Sequence, residues 1–411
     1  MPSEKKMTID ERYKYLCIKQ ELYRKAKRKE RSQLLDQMQH VTKLNRKTLI
    51  RHMKGKIVRK PRQRQRGKTY GHEVDDALRV ISESLDYICA ERLHPGLVST
   101  ALHLAAHGEL QVSPTALEQL SRISISTVRR RLKKFARLDQ WRLPRRQGPR
   151  QANPLTRNIP MKRIPWDEQQ PGHFEVDLVH HCGPSSSGHY VHTLQMIDVA
   201  TGWSERAAVL GRSQLVMEDA FQRILKRLPF AVLEIHPDNG SEFFNHHLLR
   251  FWKDTVKGVY LSRSRPFHKN DNRFVEQKNS TLVRAYLGDQ RLDSVIQTRV
   301  LNELYDKMWL YYNFFQPVMR LTKKTIITTE GQAHRVRRSY GPAQTSFQRL
   351  CATKAISGEQ RQPLQLLRDQ TNPRQVRREI YDLLDRLFSL PGAAADKTES
   401  ALETLFIPLP V

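Results

Sequence analysis

Asp177, Asp238 and Glu276 are the side chains whose type and spacing could do chemistry. Asp177 lies in an alternating run, His173-Phe174-Glu175-Val176-Asp177-Leu178-Val179-His180. Asp238 follows a short apolar stretch, in His236-Pro237-Asp238-Asn239-Gly240-Ser241-Glu242-Phe243. Glu276 follows Asp238 after 37 intervening residues, in Asn270-Asp271-Asn272-Arg273-Phe274-Val275-Glu276-Gln277-Lys278-Asn279. Carboxylates are oxygen ligands of the kind that suits Mg²⁺ or Mn²⁺. A phosphodiester is anionic and its leaving oxygen is poor. Two ions about 3.5–4 Å apart, bridged by carboxylate, can activate an attacking hydroxyl on one side and stabilise the leaving oxygen on the other. The chemistry suggested is the cutting and rejoining of DNA. Any one of these acids would say little, since Asp-Asn-Gly alone is simply a turn. The specific signal is the conjunction, in this order, within one basic chain.

The elements that must position them are legible from periodicity. Around Asp177, Phe174, Val176 and Leu178 share one strand face and Glu175 and Asp177 the other. Aspartate is disfavoured in strands, so its presence calls for a compensating partner, of which a metal is one. Gly188 to Val199 and Trp203 to Leu210 predict two more strands, joined at Thr201-Gly202 in hairpin fashion. Residues 213–228 predict a helix, Phe230 to Ile235 a short buried strand, and Glu242 to Lys253 another helix. Together they describe an α/β layer fold, a mixed sheet flanked by helices. The helix bearing Glu276 is expected to start at Asn270 or Asp271, both good caps. Its apolar stripe, Val275, Leu282, Val283 and Tyr286, puts Glu276 at the border of the buried side. Lys269, Arg273 and Lys278 nearby would attract phosphate. An aromatic-rich helix through Met308 to Phe315 is expected to pack against the sheet.

The formal net charge of +29 over 411 residues points to a polyanionic partner. Residues 1–54 suit a helix-turn-helix domain whose outward face carries Arg46, Lys47 and Arg51, although a plain three-helix bundle with a wetted basic face fits the same pattern. Residues 55–70 form a basic linker with seven lysines and arginines and no acid. Residues 71–142 predict a second helical, helix-turn-helix DNA-binding domain. There Ser113-Pro114 starts a helix, and Val128, Leu132 and Phe135 turn inward, leaving Arg129, Arg130 and Lys133 outward. A second basic linker, 143–165, leads to the catalytic core, 166–317. Beyond it lie a short basic β-like segment (318–350), a helical C-terminal region (351–390) and a flexible tail (391–411). The stripe Val376, Ile380, Leu383, Leu384 and Leu387 could pack on its own domain or on another subunit.

Several classes are disfavoured. No apolar run approaches the roughly twenty residues needed to span a bilayer, and the charged opening residues do not read as a signal segment. A cytoplasmic, nucleoid-associated protein is expected, with no membrane partner. The four cysteines are scattered and read as reduced thiols. His180-His181-Cys182 with His189 and His192 invites zinc, but the spacing matches no zinc module.

The segments His236 to Phe243 and Arg263 to Asn279 resemble the second and third catalytic motifs of bacterial insertion-sequence transposases with a retroviral-integrase core. Phe174-Glu175-Val176-Asp177 and the strand Leu194 to Trp203 match the first. The resemblance spans about Pro165 to Pro317. It implies a ribonuclease H-like fold with Asp177, Asp238 and Glu276 as the metal-binding triad, Asp177 bridging two ions. Pro237 stands where many relatives carry Thr. The zinc-binding histidine and cysteine set of retroviral integrases is absent, which leaves recognition of DNA ends to the helix-turn-helix regions. Gly341 to Leu350 is similar to a segment that follows the core in relatives.

The resemblance implies a DNA transposase that cleaves the ends of an element and joins the 3′-hydroxyl to target DNA. Its partners would be double-stranded DNA, both terminal inverted repeats and target, and it would act as a homodimer or larger assembly on DNA. The alternatives are a catalytically inactive helix-turn-helix regulator and a structure-selective nuclease of the same fold.

Overall fold

The computed structural model describes residues 7–58, 69–135, 164–165, 167–237, 243, 246–256, 258–265, 271–327, 335–394 and 399–406. They fall into two compact units, Met1–Thr69 and Tyr70–Val411.

In the first unit, helices α1 (Ile9–Lys25), α2 (Arg28–Thr42) and α3 (Arg46–Lys54) enclose Leu16, Leu35, Met38, Leu49 and Met53. Thr8 and Glu11 form a reciprocal capping box on α1. The break expected near residues 42–44 is present. Lys43 takes a left-handed conformation (φ 56°), and Asn45 then caps α3 through the Lys47 N–H. Gln20 binds the carbonyls of His52, Met53 and Gly55, tying α1 to the end of α3.

The second unit opens with α4 (His72–Ser84), α5 (Ala90–Leu93), α6 (Leu97–Ala106), α7 (Pro114–Arg122) and α8 (Ile125–Phe135). Ser113 caps α7 through the Ala116 N–H at 3.1 Å, with Pro114 in the first turn. Val128 is fully buried, and Leu132 and Phe135 are partly so.

The five-stranded sheet has the order β3-β2-β1-β4-β5. Its strands are β1 (His173–His180), β2 (Val191–Asp198), β3 (Ser204–Leu210), β4 (Glu234–Pro237) and β5 (Tyr260–Leu261). β2 is antiparallel to β1 and β3, whereas β4 runs parallel to β1 and β5 parallel to β4. The hairpin joining β2 to β3 turns at Gly202 (φ 77°). Asp198 holds it shut, accepting from the Thr201 N–H and hydroxyl and, with its other oxygen, from the Gly172 N–H. Phe230 to Leu233, expected as strand, is instead an approach. The Leu233 and Glu234 N–H groups both bond the Gly172 carbonyl, and pairing with β1 begins only at Glu234. Phe230 anchors that approach by stacking on Phe174.

Both faces of the sheet are covered, so alternation in β1 separates apolar from polar, not inside from outside. Phe174, Val176 and Leu178 face a core shared with Val216, Ala220, Phe221 and Ile224 of α9 (Gln214–Arg227). Past β4 come α10 (His246–Arg250), which widens into a π turn over Phe251–Val256, then β5 and α11 (Arg273–Lys278). A second π turn, Asn279–Arg284, continues α11 into α12 (Ala285–Leu287). These helices and α13 (Val295–Phe314) cover the Asp177 face. α13 also closes the edge of β3. Asn302 bonds both backbone groups of Ala208, at 2.9 and 2.9 Å, and Asn313 those of Ser204, at 2.9 and 3.1 Å. The aromatic-rich helix therefore packs on the sheet as expected.

The remaining chain wraps this core. β6 (Leu321–Ile327) and β7 (Arg335–Tyr340) form a separate antiparallel ribbon, followed by α14 (Ser346–Cys351), α15 (Gly358–Gln370) and α16 (Pro373–Ser389). Asn372 caps α16, whose Val376, Ile380, Leu384 and Leu387 are buried against α13, so the stripe serves its own domain. The helical segment α4–α8 docks here too. Tyr311 donates to the Ser84 carbonyl at 2.9 Å, and Arg374 pairs with Glu83 at 2.7 Å. Residues 399–406, placed by sequence in a flexible tail, are held. Glu399 accepts the Val295 N–H at the start of α13, and Arg223 and Lys226 lie over the Phe406 ring. Among the described residues no helix is long and apolar enough to cross a membrane.

Two buried histidines give the fold an acid limit. Burial, followed by nearby positive charge, drives His181 and His192 to about 3. Both stay neutral in the folded protein while the unfolded chain takes up protons near 6.5, so stability is full above that pH and falls as pH drops toward 3. The expected slope is ~1.4 kcal/mol per pH unit for each. His192→Phe should remove one such contribution between pH 6.5 and 5 in urea titrations; an unchanged slope would discount it.

Candidate active site

Glu175 and Asp177 extend from the same face of β1 toward α11, and both are buried. Asp177 stands opposite Gln195 of β2. One Asp177 oxygen accepts the side-chain N–H of Asn279 at 2.7 Å, and the other accepts the Leu178 N–H. One Glu175 oxygen accepts the backbone N–H groups of Phe274 and Val275, at 2.7 and 3.0 Å. Glu175 is therefore the N-terminal cap of the helix carrying Glu276, delivered from another element.

This replaces the expected caps. Asn270 lies outside the described residues. Asp271 accepts the backbone N–H and two guanidinium N–H groups of Arg265. Asn272 holds the cap position without a side-chain bond to the helix. Burial raises Glu175 to about 7, against the lowering effect of the Val275 N–H, the Arg273 charge and the Phe274 N–H.

Glu276 follows the buried Val275 and is itself exposed. Asn279 comes three positions later, on the same helical side, and reaches Asp177. The π turn begins at Asn279. Such turns recur at functional sites because the extra residue re-aims neighbouring side chains. Asp238 lies outside the described residues. The strand leading to it ends at Pro237, in parallel register with Val176, the neighbour of Asp177.

The donor set suits a hard cation. Glu175 Oε1, Gln195 Oε1 and Asn279 Oδ1 are buried oxygens without a hydrogen-bond donor. Buried acceptors without partners are uncommon, and oxygens of this kind are what Mg²⁺ or Mn²⁺ takes. Among the described residues no three His, Cys, Asp or Glu side chains converge as a metal-binding group. The His180-His181-Cys182 region forms no such group either: His181 bonds Thr193, and His192 packs against the rings of His180 and Tyr190.

The basic residues singled out for DNA differ in situation. Lys47, Arg51 and Lys133 are exposed. Arg46 pairs with Asp36 and bonds Ser32, joining α2 to α3, and Arg129 pairs with Glu91. Arg130 reaches the Thr127 hydroxyl at 3.2 Å. Arg273 lies over the Phe274 ring at 4.5 Å. Lys269 lies outside the described residues. Lys278 is half-buried on α11, and burial, then the charges of Arg206, Arg92, Arg320 and Arg349, lower it to about 7. Glu175 and Asn279 carried no assigned role from sequence. Their available signals were spacing, two residues from Asp177 on a strand and three from Glu276 on a helix.

No family model matches the chain. It is 34% identical over 308 residues to the uncharacterized protein y4rM of Sinorhizobium fredii (strain NBRC 101917 / NGR234), spanning 75% of this chain and 87% of that protein. Among solved structures, the catalytic core domain of BIV integrase is similar at 16% identity and a TM-score of 0.27, covering 35% of this chain and 85% of that one. The HTLV-2 integrase catalytic core domain in complex with magnesium, a dimeric form, is similar at 19% identity and a TM-score of 0.27, covering 36% and 90%.

Proposed function

We propose that this chain, which belongs to the same family as the uncharacterized protein y4rM of Sinorhizobium fredii, is a DNA transposase with a ribonuclease H-like catalytic core. The observation that carries this is the double tie between β1 and the Glu276 helix. Glu175 accepts from the first turn and Asn279 binds Asp177, so the strand carrying Asp177 and the helix carrying Glu276 are joined at two points. The five-stranded mixed sheet flanked by helices is the architecture such a core requires, and the motifs around Asp238 and Glu276 supply its acids in order.

Asp177, Asp238 and Glu276 would hold two Mg²⁺ or Mn²⁺ ions. When bound, the ions supply Lewis acidity to the scissile phosphate and activate the attacking hydroxyl. The protein's own share is positional. Asn279 fixes the orientation of the Asp177 carboxylate, the Glu175 cap holds the helix against β1, and the apolar packing of Val275 and Leu282 excludes water beneath it. Exposed cations in both helical regions, Lys47, Arg51 and Lys133 among them, would engage DNA phosphates, with two copies of the chain bringing two ends together.

The test uses purified protein, Mg²⁺ and duplexes carrying the repeats that flank the gene. Joined product is expected. Cleavage of branched DNA without joining would favour a nuclease, and binding without cleavage a regulator.

A further inference from the structure

β6 and β7 pair only with each other, as a ribbon separate from the five-stranded sheet. Apart from Leu321 at its root, every residue of the ribbon whose burial is described is exposed. Two strands wetted on both faces are marginal in water, so the element calls for a partner.

Its charge and register say what kind. Residues directly opposite on antiparallel strands share a face. Lys323 stands opposite Ser339 and Thr325 opposite Arg337, which puts two cations and two hydroxyls on one exposed face. Arg338 is exposed on the other face, between Val336 and Tyr340. Five of the thirteen strand residues are Lys or Arg and none is Asp or Glu, so the partner this composition selects is a polyanion. A further strand fits poorly. The register shifts between Leu321 and Lys323, and bulges and lysines on an edge oppose pairing with another sheet. A two-stranded ribbon does match the width of the DNA major groove, where cations meet the flanking phosphates and hydroxyls the base edges.

The root of the ribbon stands at the candidate active site. The Gly341 N–H bonds the Arg320 carbonyl at 2.9 Å, and Val318 and Gln344 exchange backbone bonds at 2.8 and 3.2 Å. Arg320, one residue before β6, donates to the Val199 and Ala200 carbonyls at the β2–β3 hairpin. Its guanidinium also lies 5.5 Å from the centre of the Phe274 ring. Phe274 is in the first turn of α11, two residues before the exposed Glu276. The arm is thus fastened to the helix that carries the acid.

We propose that the β6–β7 ribbon is an arm that grips duplex DNA beside the Glu276 helix, through the face bearing Lys323 and Arg337. It rests on the reading of the chain as a DNA-handling enzyme, and adds to the helical regions a grip on the core itself.

The test is equilibrium binding of the full chain across a range of chloride concentrations, on a duplex of unrelated sequence and on one carrying the flanking repeats. Lys323→Gln with Arg337→Gln should weaken binding about tenfold or more and flatten the slope of log K against log salt by about 0.9 for each lost phosphate contact. The charge-matched pair Lys354→Gln with Arg361→Gln, at exposed positions outside the ribbon, should leave the slope as in the wild type. A loss on both duplexes assigns the grip to DNA of any sequence, target included, and a loss on the repeats alone assigns it to the element's ends. An unchanged slope, an equal loss in the charge-matched pair, or an altered oligomeric state with DNA binding intact would overturn the arm. Both ribbon residues are exposed, so the variant should melt with the wild type; should it melt lower, Arg337→Gln alone decides, with half the change in slope. Joining is a separate readout. Ribbon-dependent binding in a protein that joins no DNA would reject the transposase and keep the arm, and normal joining with an unchanged slope would do the reverse.

Discussion

Asp177→Asn, Asp238→Asn and Glu276→Gln are each expected to reduce DNA joining about a thousandfold or more, equivalent to ~4 kcal/mol of barrier. DNA affinity should stay within about twofold, because it is dominated by cations contacting phosphate. Each change removes a charge and keeps the shape, so chemistry can be separated from folding. Glu276→Gln is the cleanest of the three. The residue is exposed, and neutral exchange at an exposed site shifts stability by about 0.5 kcal/mol or less. Asp177→Asn carries a modest folding cost. Its two oxygens accept from Asn279 and Leu178, and an asparagine has one oxygen to offer both, a loss of about 1 kcal/mol. Joining assays run beside melting curves would therefore place Asp177 and Glu276 independently. If Glu276→Gln joined DNA within tenfold of the wild type, the helix acid would have no part in the reaction. If DNA binding fell in parallel with joining, the residue would serve the duplex and not the chemistry.

Much of the architecture around these acids was legible because it rests on local periodicity. The alternation in β1, the Thr201-Gly202 hairpin, the α9 stripe and the Ser113-Pro114 start all report nearest-neighbour chemistry, and each took the form expected. What escaped depended on residues far apart in the chain. Asp271 looked like a cap because aspartate caps helices, but Arg265, six residues earlier, claims both of its oxygens. Strand β5 has two residues and carries no periodic signal to find. The start of β4 was misjudged because Phe230 and Val232 are apolar for packing, whereas pairing waits for Glu234.

Glu175→Ala is expected to lower stability by roughly 2–4 kcal/mol and to depress joining even where the protein remains folded. α11 has six residues before its π turn, too few to hold itself, and no cap of its own. Without the carboxylate, the Phe274 and Val275 N–H groups lose their shared acceptor, and Val275 is wholly buried. Unsatisfied buried donors cost about 1–3 kcal/mol each, and the cavity left beneath the helix adds to that. Glu276 is the next residue, so loosening the first turn moves the acid that the chemistry needs. Glu175→Gln separates position from charge. Its amide oxygen can still accept from both backbone groups, so stability should return to within about 1 kcal/mol of the wild type, and joining should recover with it. If Gln restores the melting temperature but not joining, the Glu175 carboxylate itself takes part at the site, its second oxygen being the one that no donor meets. If Ala leaves both stability and joining unchanged, the helix is fixed by Asn279 and its apolar stripe, and the cap from β1 is incidental.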